Sequence, residues 1–154
     1  MAFDAPSLKG RALRLLGARE HSRLELERKL AQYEEEPGSL AAALDDLEAK
    51  GFISAQRVVE SVVNRRAGKL GAARIKQELQ SKGLPPEAVA AAVADLRGSE
   101  LARAQDIWHK RFGAVAAEPQ ERARQARFLA ARGFGGEVIR RVVKGSSDDL
   151  SQSD

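Results

Sequence analysis

The chain has 154 residues with no cysteine, only five Phe, one Tyr and one Trp, and an abundance of Ala, Leu, Arg, Glu and Gln without any long β-branched alternating run. This excludes a disulfide framework, a thiolate metal site and a sheet-built fold, and reads as all-α. The net charge of +4 is uneven: residues 1–56 carry −2, 57–82 carry +5, 83–96 carry −2, 97–144 carry +6 and the tail −3. The basic middle and C-terminal third suit a polyanion or an acidic protein surface, with a merely solvated helix face as the plainer reading.

The predicted elements begin with a helix over Leu8 to Glu20, where Leu8, Ala12, Leu15, Leu16 and Arg19 share a side; residues 1–7 before it read as a flexible N-terminus. Ser22 with Glu25 three residues on makes a capping box for a second helix carrying Leu26 and Leu30 and fading near Tyr33. Glu34 to Ser39 is an acidic loop. Ser39 is read as the cap of a third helix with Leu40, Leu44 and Leu47 on one face, stopped by Gly51-Phe52-Ile53.

The same order then recurs. Residues 55–67 place Val58, Val59, Val62, Val63 and Arg66 on one face. Gly71 to Leu84 is a helix with both ends marked: Ile75 and Leu79 share a face, Gly83 supplies the left-handed stop, and Pro85-Pro86 forbid continuation. Within it, Arg74 and Lys82 stand at i,i+4 spacing from Glu78 and are expected to pair with it. Pro85 to Leu96 forms a further helix with Val89, Val93 and Leu96, the i, i+4, i+7 set of Leu40, Leu44 and Leu47 displaced by 49 residues. A third pass holds Leu101, Ala104, Ile107, Trp108, Arg111 and Phe112 over 99–112, a linker, a helix over Gln120 to Arg132 stopped by Gly133-Phe134, and a short last helix with Val138, Ile139, Val142 and Val143.

The chain therefore divides into three tandem three-helix repeats, 8–54, 55–97 and 98–144, followed by a Ser- and Asp-rich tail, 145–154, that reads as disordered. Each repeat is too small to bury a good core alone. An elongated, curved array in which neighbouring units share contacts is expected.

At this point the residues resemble a known family. Ser22-x-x-Glu25-Leu26-x-x-Lys29-Leu30, then Leu47-x-x-x-Gly51-Phe52-Ile53, then Gly71-x-x-Arg74-Ile75-x-x-Glu78-Leu79-x-x-Lys82-Gly83-Leu84 look like the RecX regulatory proteins, over about residues 8 to 143. The family usually has an acidic pair after the first unit; here Ser54-Ala55 stand in its place, and Ser54 can serve as a helix cap. The resemblance implies a modulator, usually an inhibitor, of the RecA recombinase filament on single-stranded DNA and of its ATP hydrolysis and strand exchange. The implied fold is three tandem three-helix repeats. The implied partner is the RecA filament, with single-stranded DNA as an auxiliary contact, and the chain reads as a monomer of the cytoplasm with no membrane contact. A stand-alone DNA-binding module is the alternative.

For catalysis, cofactors and metals the sequence offers nothing. His21 and His109 lack a carboxylate or serine at metal or triad spacing, and the glycines at 133, 135 and 136 follow no strand and precede no Lys-Ser/Thr. The partner-contact candidates are basic: Arg65, Arg66, Lys69, Arg74 and Lys76 around the first junction of the second unit, and Arg122, Arg124, Arg127 and Arg132 in the third. Arg124 and Arg127, with few acidic neighbours beyond Glu121, are favoured. Arg19, Arg66 and Arg111 occupy equivalent repeat positions, which favours a structural ion pair or helix-end contact. Trp108 and Phe112 suit core packing better than base stacking.

Overall fold

The computed structural model describes residues 5–145, and the residues outside that range, including most of the expected tail and the first four of the expected flexible N-terminus, lie outside the described residues. Eight α-helices and one short 3-10 turn make up the described chain, with no strand among the described residues. The first unit holds α1 (Leu8–Ala18), α2 (Arg23–Leu30) and α3 (Ser39–Ala49), and the second opens with α4 (Ala55–Arg66) and α5 (Ala72–Ser81). A long helix, α6 (Pro86–Arg111), follows, and α7 (Pro119–Ala131) and α8 (Gly136–Lys144) end the third unit. None of these helices is long and apolar enough to cross a membrane.

Local chemistry explains the helix ends. Ser7 accepts from the Gly10 N–H at 3.0 Å and so caps α1. Ser22 and Glu25 close the capping box of α2 in both directions, at 3.2 and 3.1 Å. Ser54 caps α4 through the Arg57 N–H at 3.2 Å, the helix-cap role that Ser at this place permits. Gly51, Gly83 and Gly133 all have positive φ, as do Gly113 after α6 and Gly145 after α8, so every unit uses the left-handed glycine stop at least once. α3 departs from expectation. Its N-cap is Gly38, the Ser39 hydroxyl donates instead to the Glu36 carbonyl at 2.7 Å, and Glu34 reaches across to accept from the Leu40 N–H at 2.8 Å.

The break expected between 97 and 98 is absent, since α6 runs through it for 26 residues as both the third helix of one unit and the first of the next. Gly98 is exposed with open space around it, and the Ser99 hydroxyl donates back to the Leu96 carbonyl at 3.2 Å, so neither stops the helix. The stripe that stays buried, Val89, Val93, Leu96, Glu100 and Ala104, keeps its 3.6-residue period across the join.

Each unit owns its core. Ala12, Leu26, Leu30, Leu40, Leu44, Leu47 and Ile53 form the first. Val58, Val62, Ile75, Leu79, Val89 and Leu96 are central to the second, and Ala104, Leu129, Phe134, Ile139, Val142 and Val143 form the third. Neighbours are joined not by merged cores but by the continuity of α6, by Arg57 of α4 donating to Glu20 and to the Gly51 carbonyl at 2.9 and 2.6 Å, and by the ends of the second helices. Lys82 and Gly83 at the end of α5 meet Leu24 and Glu25 at the start of α2. One unit on, Ala131 to Gly133 at the end of α7 meet Gly71 and Arg74 at the start of α5. Thus α7, α5 and α2 run head to tail, each negative C-terminal end facing the positive N-terminal end of the next.

Candidate functional site

The head-to-tail line sorts the basic candidates. Arg66 pairs with Glu78 at 3.0 Å and Arg65 stands 4.0 Å from the same carboxylate while donating to the Ser61 carbonyl at 3.3 Å. Glu78 is therefore held by α4, and the expected intrahelical pairs with Arg74 and Lys82 do not form. Arg74 instead donates to the Ala131 carbonyl at 2.7 Å, and Lys82 binds Glu25 at 3.1 Å. Folding brought longer-range partners to residues whose spacing pointed to local ones.

Arg132 is also structural. It is half-buried with its guanidinium 4.3 Å from the centre of the Phe128 ring, and its carbonyl accepts the Gly71 N–H at 2.7 Å. Arg19 and Arg66 meet the expectation for equivalent repeat positions by pairing with Glu25 at 2.6 Å and Glu78 at 3.0 Å, whereas Arg111 lies 5.5 Å from the Phe128 ring centre.

The remaining candidates are exposed. Lys69 follows α4, and Lys76 on α5 lines a shallow groove with Arg97 of α6, a basic residue that sequence reading passed over because it lies at the expected unit boundary. Arg122, Arg124 and Arg127 project from α7, and of these Arg124 has a loose i,i+3 pair with Glu121 at 3.5 Å. An exposed pair of that kind contributes well under about 1 kcal/mol and leaves the guanidinium available. Arg124 lies seven residues before Ala131, about 10 Å along the axis, so these arginines are set back from the α5–α7 junction. Trp108 packs against the third core and donates to the buried Gln125 at 2.9 Å, as expected of it, whereas Phe112 is half-buried at the edge of that core and meets Phe128 edge-on at 5.2 Å.

His21 is 2% exposed, with Nδ1 3.0 Å from the Arg19 carbonyl and Nε2 3.0 Å from the Lys29 ammonium. Burial pushes its pKa down, so the imidazole is held neutral, with Nδ1–H donating and Nε2 accepting. It is a strut between the end of α1 and the side of α2. Among the described residues no group of three His, Asp or Glu side chains is placed to hold a metal.

Burial opposes ionisation of Glu25, yet hydrogen bonds from Arg19, the Ser22 N–H and Lys82 outweigh it and bring its pKa from 4.5 down to about 2. Because the folded value lies below the unfolded one, this stabilisation is complete above about pH 4.5 and is lost as pH falls toward about 2. Replacing Lys82 by Met is expected to lower stability by about 1–2 kcal/mol near neutrality. Thermal melts of both proteins through that acid window should converge, and parallel curves would contradict the assignment.

Comparison with known proteins places these units in order. The models of the first, second and third three-helix domains of RecX match residues 9–47, 56–93 and 99–143. A protein of Leptothrix cholodnii named Regulatory protein RecX is 53% identical over 146 residues, covering 94% of this chain and 93% of the relative. One of Ralstonia nicotianae with the same name is 46% identical, covering 96% and 93%. Two solved structures share the fold: a regulatory protein RecX at TM-score 0.74 and 18% identity, covering 90% of this chain and 72% of the other, and RecX from Lactobacillus salivarius at 0.73 and 17%, covering 89% and 92%.

Proposed function

The chain belongs to the RecX family of regulatory proteins, and on that premise we propose that it binds the RecA recombinase filament on single-stranded DNA and inhibits its ATP hydrolysis and strand exchange without chemistry of its own. The observation that carries this reading is the match of all three domains, in order, over nearly the whole described chain. The arrangement supports it physically. The second helices of the second and third units, joined end to end, present Lys76, Arg122, Arg124 and Arg127, with Lys69 on the turn before α5, so many weak contacts to phosphate or acidic protein surface act together. The protein works as a monomer in the cytoplasm, where such a filament forms.

The test is the rate of RecA ATP hydrolysis on fully coated single-stranded DNA as the protein is titrated in at substoichiometric amounts, at two salt concentrations. The rate is expected to fall, and R122E/R124E/R127E is expected to raise the half-effective concentration about tenfold or more, with the difference shrinking at high salt. No change in rate from a folded protein that still binds DNA alone would reject the recombinase reading and leave a stand-alone DNA-binding module.

A further inference from the structure

The two flanks of the first half of α6 differ in charge. On the α5 side the groove carries Lys76 and Arg97. On the α4 side a groove of about 350 Å³ has Glu60 and Asp95 at its rim and no Lys or Arg in its lining, in a chain whose net charge is +4. We infer that this α4–α6 groove docks a helical segment of a protein partner that presents apolar side chains flanked by Lys or Arg.

Shape comes first. Val59, Val63 and Ala67 form one wall at i,i+4 spacing along α4, and Ala88, Ala92 and Leu96 form the other at the same spacing along α6. Each wall spans about 12 Å of helix axis, enough for two turns of an incoming helix. The small side chains on α6 leave the space between the walls open, so an i, i+4, i+7 row of leucines can lie in it.

Charge then selects the occupant. Glu60 and Asp95 are exposed and neither forms an ion pair among the described residues; Glu60 accepts only from Gln56 of its own helix, at 3.3 Å. Arg103 reaches the Ala67 and Ser99 end of the groove, but its guanidinium is taken up by the Ala67, Leu70 and Leu96 carbonyls and the Ser99 hydroxyl. The two carboxylates therefore stay unneutralised beside an apolar floor and favour Lys or Arg at the flanks of an apolar row. The α7 helix of a second copy does not supply such a row. The exposed arginines of its α7 share that helix with Leu129, which is wholly buried in its own third core.

The inference does not depend on the recombinase reading, and its test has a separate readout. The probe is a fluorescein-labelled helical peptide of about twelve residues with leucines on one face and lysines beside them, titrated with the whole protein and followed by anisotropy. A shuffled peptide of the same composition is expected to bind about tenfold more weakly, and E60K/D95K is expected to weaken the ordered peptide about tenfold or more. Methyl NMR of the unaltered protein should show shifts at Val59 and Val63, which keeps the test decisive if the double variant loses helicity. Equal binding by the folded double variant, equal binding of the shuffled peptide, or shifts confined to Leu84 and Val89 on the opposite flank would overturn it. So would a peptide-free dimer that E60K/D95K dissolves, since that would make a second copy the occupant.

Discussion

Replacing Glu100 by alanine is expected to cost about 2–4 kcal/mol, which at this chain length lowers the melting temperature by about 5–15 °C. Glu100 sits on α6, is only 4% exposed and accepts the Ala72 N–H at 3.1 Å. It therefore caps α5 from a distance. The need for it is local: Gly71 occupies the cap position that Ser22 fills in the first unit, and Gly has no side-chain acceptor. One turn on, Arg103 donates to the carbonyls of Ala67, Leu70 and Leu96 at 2.9, 2.7 and 2.9 Å and to the Ser99 hydroxyl at 3.0 Å, which fixes the α4–α5 connection onto α6. Burial lowers the Arg103 pKa and the Glu100 charge opposes that, so removal of the carboxylate leaves a part-buried guanidinium without its counter-charge and an N–H without an acceptor. Glu100→Gln keeps an acceptor and is expected to lose less than half as much. Chemical denaturation of both variants beside Asp95→Ala, an exposed control, decides it. A Glu100→Ala loss no larger than the control's would reject the capping role.

That residue also shows where sequence reading stops. Ser22 with Glu25, and Gly83 and Gly133 as helix stops, were legible because the groups that satisfy a helix end lie within a few residues of it. The apolar spacing likewise gave the three units, and the composition the all-α architecture. What escaped was every feature whose partner arrives through folding. Gly98-Ser99 has the composition of a break, and only the packing of both halves of α6 keeps it helical. A Glu in phase with Val89, Val93 and Leu96 was the available signal, because a carboxylate in an apolar stripe needs a buried partner. Glu78 illustrates the same limit among the candidates. Its local partners at i±4 were supplied by sequence, but Arg66 of α4 occupies one of its oxygens, which releases Arg74 and Lys82 to join neighbouring units. Of the nine basic residues proposed for a partner, Arg65, Arg66, Arg74 and Arg132 have contacts within the fold, whereas Lys69, Lys76, Arg122, Arg124 and Arg127 are exposed with at most a loose local pair.

The α5–α7 junction predicts the second large effect. Gly71 has an ordinary extended backbone, so its need for glycine is one of space. A Cβ there would overlap the Gly133 carbonyl and stand 2.5 Å from the Phe134 nitrogen, which are backbone atoms with no flexible end to yield. Gly71→Ala must therefore prise the two helix ends apart. That forfeits the Gly71 N–H bond to Arg132 and the Arg74 bond to Ala131, both 2.7 Å, on top of overpacking, for a total of about 2–4 kcal/mol. The loss has a particular form. Because the second and third cores are separate, each unit keeps its own helices and the damage falls on the alignment between them, with α6 left as the main connection. Hydrogen exchange should quicken at the Gly71 amide while the Leu79 and Leu129 amides stay protected, and Gly68→Ala, in open space, should change neither. If inhibition of the recombinase depends on contacts spaced along successive units, Gly71→Ala should weaken it several-fold with every arginine of α7 still present. A variant with loosened amides at Gly71 but undiminished inhibition would place the functional contact within a single unit.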